Sequence, residues 1–155
     1  MKRILTLTLA VAGLMLLLAG CGKSSYISFD DVYASLTKEV DFGDNMTEMS
    51  DKALETFYFI YDAEILEDYK IYMDETGATA NEIALFRLTK ESDMTTVETI
   101  VKNRINDLKV SYEDYNQDEF FKVENAVVKT KGKYIMMVIS SDSKTAATVI
   151  DEYLK

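Results

Sequence analysis

The sequence has no histidine, and only one cysteine in 155 residues. The first absence removes histidine triads, histidine dyads and histidine-ligated metal sites from consideration. The second removes disulfides, since a bridge needs two thiols, and it leaves too few thiolates for a zinc site. Neither G-x-G-x-x-G nor G-x-x-x-x-G-K-[ST] occurs, so phosphate-cradling loops of those kinds are missing as well. No catalytic, cofactor-binding or metal-binding residue is therefore expected.

What is present begins with MKRILTLTLAVAGLMLLLAGC. Lys2 and Arg3 precede an apolar run from Ile4 to Leu18, and small residues follow before Cys21. These are the three regions of a signal peptide over residues 1–20. Leu18-Ala19-Gly20-Cys21 resembles the lipobox of bacterial lipoproteins, which implies a diacylglyceryl group on the Cys21 thiol and cleavage just before it. Two acyl chains suffice for durable anchoring, where one is marginal. The expected location is the cell membrane, lipid-anchored, facing outside the cytoplasm.

Loss of residues 1–20 takes Lys2 and Arg3 with it and leaves 15 basic against 27 acidic side chains, a balance of −12. Such a chain is repelled by phosphate backbones, so no nucleic-acid partner is expected. Residues 21–27 form a short linker after the anchor, and residues 28–155 have the length of one domain.

Within that domain, Ser28 reads as the N-cap of a helix carrying Phe29, Val32, Tyr33, Leu36 and Val40. DFGDNMTEMS reads as a loop, and Ser50 as the cap of a second helix with Leu54, Phe57, Tyr58 and Tyr61 on one side. The period then changes. YKIYM and EIALFRL flank a turn at Gly77 and form a hairpin, followed by a helix with Val97, Ile100, Val101, Ile105 and Leu108 on its apolar face. NAVVKT, a turn at Gly132, YIMMVIS and a helix with Ala146, Val149 and Ile150 repeat the arrangement.

The expected fold is α+β: an antiparallel four-stranded sheet from two β-hairpins, each followed by a helix, with two N-terminal helices packed on it. IALFRL and YIMMVI are apolar on both parities and suit central positions covered on both faces, while YKIYM and AVVKT suit edges. If helices covered only one face, Tyr134, Met136 and Val138, or their opposite-parity neighbours, would form an exposed apolar binding surface.

Three motifs suggest chemistry. Ser141-Asp142-Ser143-Lys144 matches S-x-x-K, as does Ser35-Leu36-Thr37-Lys38, but K-T-G is absent and the former reads as a helix cap. Asp41, Asp44, Asn45 and Glu48 approach a calcium loop without the EF-hand order. SYEDYNQDEFF, Ser111 to Phe121, reads as a seam: Tyr112 and Tyr115 extend the helical stripe from Ile105 and Leu108. Asn116 then caps a short helix that buries Phe120 and Val123, with Glu113, Asp114, Asp118 and Glu119 on its wet side.

GATANEIALFRL at 77–88, SYEDYNQDEFFKVENAVV at 111–128 and KGKYIMMVIS at 131–140, together with the lipobox, resemble a family of uncharacterised bacterial lipoproteins known as domain of unknown function 4358. One departure is Asn116-Gln117 where the family pattern has a proline. The resemblance implies a secreted, lipid-anchored domain and assigns no activity or site residue. The residues themselves favour a nonenzymatic, membrane-tethered binding or interaction module for an envelope protein or small ligand. An inhibitor or immunity-like regulator of a basic cell-wall enzyme and a carboxylate-based hydrolase are the alternatives.

Overall fold

The computed structural model describes residues 26–155; the signal region, the Cys21 lipobox and most of the linker lie outside the described residues. The chain forms a mixed α/β fold around one antiparallel sheet. Five strands build it: β1 (Met46–Glu48), β2 (Leu66–Asp74), β3 (Glu82–Leu88), β4 (Val127–Lys131) and β5 (Tyr134–Ile139), in the order β1-β2-β3-β5-β4. Among the described residues five α-helices accompany it: α1 (Phe29–Glu39), α2 (Lys52–Phe57), α3 (Met94–Tyr112), α4 (Gln117–Glu124) and α5 (Ser143–Tyr153).

The two hairpins and their following helices match the expectation, and β3 and β5 are central, with every residue of β5 buried. The strand count does not match. Met46–Glu48, inside the stretch read as a loop, pairs with β2 through Met46↔Asp74, Thr47↔Met73 and Glu48↔Tyr72, which makes β2 an inner strand. Three residues with no inward-outward alternation carry no period-2 signal, and β1 exists because β2 offers it a free edge.

Nor do helices gather on one side. Ala84, Phe86 and Leu88 of β3 and Ile135, Met137 and Ile139 of β5 face α2, α3 and α4. Ile83 and Leu85 of β3 and Tyr134, Met136 and Val138 of β5 face α1 and α5. The apolar surface expected at Tyr134, Met136 and Val138 is therefore closed. Met136 is fully buried, and the Tyr134 ring meets Phe29 edge-on at 6.2 Å. The Ser35 and Tyr153 hydroxyls, 2.7 Å apart, join α1 to α5 over it.

Helix ends follow local chemistry. Ser28 Oγ accepts from Asp31 N at 3.3 Å, Asn116 Oδ1 from Asp118 N and Glu119 N at 3.1 and 3.3 Å, and Asp142 Oδ1 from Thr145 N at 3.0 Å. Ser50 supplies only its carbonyl, to Ala53 N. Helix α2 also ends sooner than expected, because Ile60 N–H returns to Leu54 O at 3.0 Å and Phe59 takes the left-handed conformation, φ 54°. Tyr61 consequently leaves the helix and is exposed.

Candidate functional site: a cleft above a buried ion pair

Strand alternation places Glu82, the first residue of β3, on the same face as Ala84, Phe86 and Leu88. A carboxylate pointing into an apolar layer must find partners there or lose its charge. Glu82, 2% exposed, finds two. Arg104 of α3 donates Nη2–H to Oε2 at 2.8 Å and Nε–H to the two oxygens at 3.2 and 3.4 Å. The Tyr58 hydroxyl, just past α2, donates to Oε1.

The electrostatics hold this group in its paired form. Burial pushes the Tyr58 hydroxyl pKa well up, and the Glu82 charge adds to it, so Tyr58 stays a neutral donor. For Arg104, burial works downward but the attraction of Glu82 outweighs it and raises the pKa, so the guanidinium stays charged. Its plane lies over the Phe57 ring at 4.8 Å.

A second network stands beside the first. Glu119 of α4 accepts from Ala80 N–H at 2.8 Å and from Lys122 Nζ at 2.8 Å, and Lys122 Nζ also reaches Asn81 Oδ1 at 3.3 Å. Asn81 Nδ2 donates to Phe42 O at 2.9 Å. Glu119, expected on the wet side of its helix, is thus buried and ties α4 to the β2–β3 turn. The turn is braced by Asp74, whose carboxylate accepts from Thr76 N, Thr76 Oγ1, Thr79 N and Thr79 Oγ1 at 2.5 to 3.1 Å. Partial burial raises the Asp74 pKa, but these donors outweigh it and hold the carboxyl below its ordinary value.

Between this turn, α3 and the end of α2 lies an open cleft of about 260 Å³. Met49, Met73, Phe57 and Leu108 make its apolar lining, with Arg104 toward one end and Tyr112 toward the other. The Tyr112 hydroxyl contacts only Gly77 O, at a long 3.5 Å. Chemically, the cleft offers hydrogen-bond donors over an apolar bed. Two of its carboxylates, Glu82 and Asp74, are already engaged, and the third, Glu75, is exposed at the rim.

Glu82, Arg104 and Tyr58 were not singled out from the sequence, yet two of them leave a trace in it. Arg104 interrupts the stripe Val97, Val101, Leu108 at a core spacing of α3, and Glu82 heads the otherwise apolar row Ala84, Phe86, Leu88 of its strand. Of the residues that were singled out, Tyr112 lines the cleft, 8% exposed, whereas Tyr115 is 79% exposed because α3 stops at Tyr112. Phe120 is half-buried against the core.

The acidic loop does not assemble into a cation site: Asp41 accepts from Gly43 N at 2.8 Å, and Glu48 pairs with Lys70 at 2.5 Å. Among the described residues no cluster of three or more metal-ligating side chains forms. In the two Ser-Lys motifs, Ser35 is bonded to Tyr153, Lys38 pairs with Glu39 at 3.0 Å, and Ser141 precedes the Asp142 cap of α5.

A family model described as domain of unknown function, DUF4358, matches residues 38–140. The chain belongs to that family. The DUF4358 span contains all five strands, α2, α3 and α4, and with them both networks and the cleft. Helix α5 lies beyond it, and all but the last two residues of α1 precede it. No curated protein and no solved structure matches the chain.

Proposed function

We propose that the chain is a nonenzymatic binding module, held at the outer side of a cell membrane by lipid on Cys21, with the Arg104 cleft as its ligand-binding element. The observation that carries this reading is the placement of the cleft relative to the N-terminal entry. Tyr26 donates its hydroxyl to Asp68 Oδ2 at 3.1 Å and lies under the Arg87 guanidinium at 4.3 Å, while Ile27 N–H donates to the Tyr134 hydroxyl. Arg87 and Tyr134 are a facing pair at one end of the sheet, and Glu82 lies at the other end of β3. The separation along the strand is roughly 17 Å at about 3.3 Å per residue. The five residue steps from Cys21 to Tyr26 reach at most about 18 Å. A domain anchored so closely holds its Arg87 end to the bilayer and its cleft away from it.

The donor-rich cleft also favours binding over hydrolysis. A carboxylate hydrolase needs a general acid of raised pKa. Asp74 is shifted the opposite way, and the Glu82 oxygens are taken by Tyr58 and Arg104.

Two measurements on the full chain expressed in a bacterial host test the proposal. Mass spectrometry should find an acylated N-terminal Cys21, and Cys21→Ser should move the protein from the detergent phase to the aqueous phase. A photo-crosslinker at Glu75, on the cleft rim, should capture a discrete envelope component, and one at Lys133 should not. An unmodified Cys21 would refute the tether, and capture only at Lys133 would refute the cleft as the binding element.

A further inference from the structure

The geometry points to a ligand class for this cleft, an inference that rests on the binding-module reading: a small, uncharged molecule that presents an amide carbonyl on an apolar group. Hydrogen-bonding capacity comes first. The carboxylates of the cleft's interior are filled, Glu82 by Tyr58 and Arg104, and Asp74 by four donors from Thr76 and Thr79, while Glu75 stands exposed at the rim. The turn's own N–H groups are filled too, Gly77 by Asp74 O and Ala80 by Glu119. What remains is donors. Arg104 Nη1 has no hydrogen-bond partner among the described residues, and the Tyr112 hydroxyl has only its 3.5 Å contact, beyond ordinary hydrogen-bond length. A ligand that completes this site brings acceptors.

Charge narrows the class. Arg104 is neutralised by its multi-point contact with Glu82, and Asp74 and Glu75 make the adjoining wall acidic. An anion entering the cleft meets that acidic wall with no uncompensated cation to receive it. A cation meets two donors in the interior, and the one carboxylate left free, that of Glu75, stands in solvent at the rim. A neutral carbonyl meets neither penalty, so the discrimination is built from repulsion as much as from attraction. Size and lining complete the class. About 260 Å³ is below the usual range for drug-sized ligands, roughly 300–1,000 Å³. The thioethers of Met49 and Met73 adapt to a small alkyl group.

The test is methyl-¹³C-methionine NMR on the full chain in detergent, which reads Met49 and Met73 directly. The probes are N-acetyl-L-alanine methylamide, propionate and propylammonium. The amide should shift both methyl signals saturably, with the two ions binding at least about tenfold more weakly. Arg104→Lys keeps a cation beside Glu82 but loses the free Nη1, and it should weaken the amide about tenfold. Tyr112→Phe, which removes one hydroxyl and leaves the ring in the core, should weaken it about threefold or more at an unchanged melting temperature. It keeps the test decisive should Arg104→Lys fail to fold. Tighter binding of either ion, no shift at Met49 and Met73 with any probe, or full affinity in Tyr112→Phe would overturn the inference. Absence of amide binding alongside a component crosslinked at Glu75 would remove the ligand class and leave the binding module standing.

Discussion

The two faces of the sheet start from the same strands and end differently. On the face toward α1 and α5, the inward residues of β3 and β5 are apolar except Arg87 at one end, whose guanidinium lies over Tyr26; Tyr33 stacks on Tyr72 at 3.8 Å, and the layer is closed over Met136 and Val138. On the face toward α2, α3 and α4, the inward row of β3 begins with Glu82, and the layer opens into a cleft at that point. One inward carboxylate accounts for much of the contrast. It draws in a guanidinium from α3 and a hydroxyl from the end of α2, so side chains that would otherwise pack on each other are committed to a polar contact. Buried ion pairs add little net stability compared with apolar residues of the same size, and a protein that carries one accepts a cost.

The largest expected effect tests that contrast directly. Glu82→Ala leaves a buried guanidinium and the Tyr58 hydroxyl without their acceptor and should destabilise the fold by about 3–5 kcal/mol in urea titrations. The double substitution Glu82→Leu with Arg104→Met should recover most of the loss, because no unpaired charge is left behind. If the double variant is as unstable as Glu82→Ala, the pair is a structural requirement and the contrast between faces fails.

On the closed face, Leu36→Ala removes a fully buried side chain from α1 and should cost about 2–5 kcal/mol, with no effect on cleft ligands. Tyr115→Ala, by contrast, touches an exposed ring and should change stability by less than about 0.5 kcal/mol. A larger loss there would mean that Tyr115 is covered in the native assembly.

The smallest effect is a pH dependence contributed by Asp74 on the open face. Asp74 has a folded pKa below its ordinary value of 3.8, so its ionised form is favoured by the fold. That contribution is fully present above the unfolded value and is lost as pH falls from there through the folded value. Urea midpoints at pH of about 5 and about 3 should therefore differ less in Asp74→Asn than in the parent chain. An identical acid-side decline in both would show that the Thr76 and Thr79 donors do not stabilise the charged form.

Much of the frame was legible because it depends on neighbours a few residues away. The Asn116 cap needs only an acceptor and the N–H groups two and three residues on, and the hairpins at Gly77 and Gly132 need only a residue that tolerates positive φ, 66° and 56° here. The candidate site was legible only in part. Tyr112 follows from helical spacing, but Glu119 was placed on the wrong side of α4, since an eight-residue helix does not declare which flank meets the β2–β3 turn. Tyr115 failed for a related reason: its stripe assumed a helix that ends three residues earlier.

By itself, then, the sequence determined the helices α1, α3, α4 and α5, the two hairpins, and the central places of β3 and β5, because periodicity, capping and two-sided apolarity are local or cumulative signals. The lipobox reading at Cys21 rests on the same local kind of signal. Only the tertiary structure decided which helices cover which face, that Met46–Glu48 becomes an edge strand, and that Glu82, Arg104 and Tyr58 meet. Those outcomes turn on which distant surfaces bury one another, and a buried charge chooses its partner by proximity in space, not in sequence.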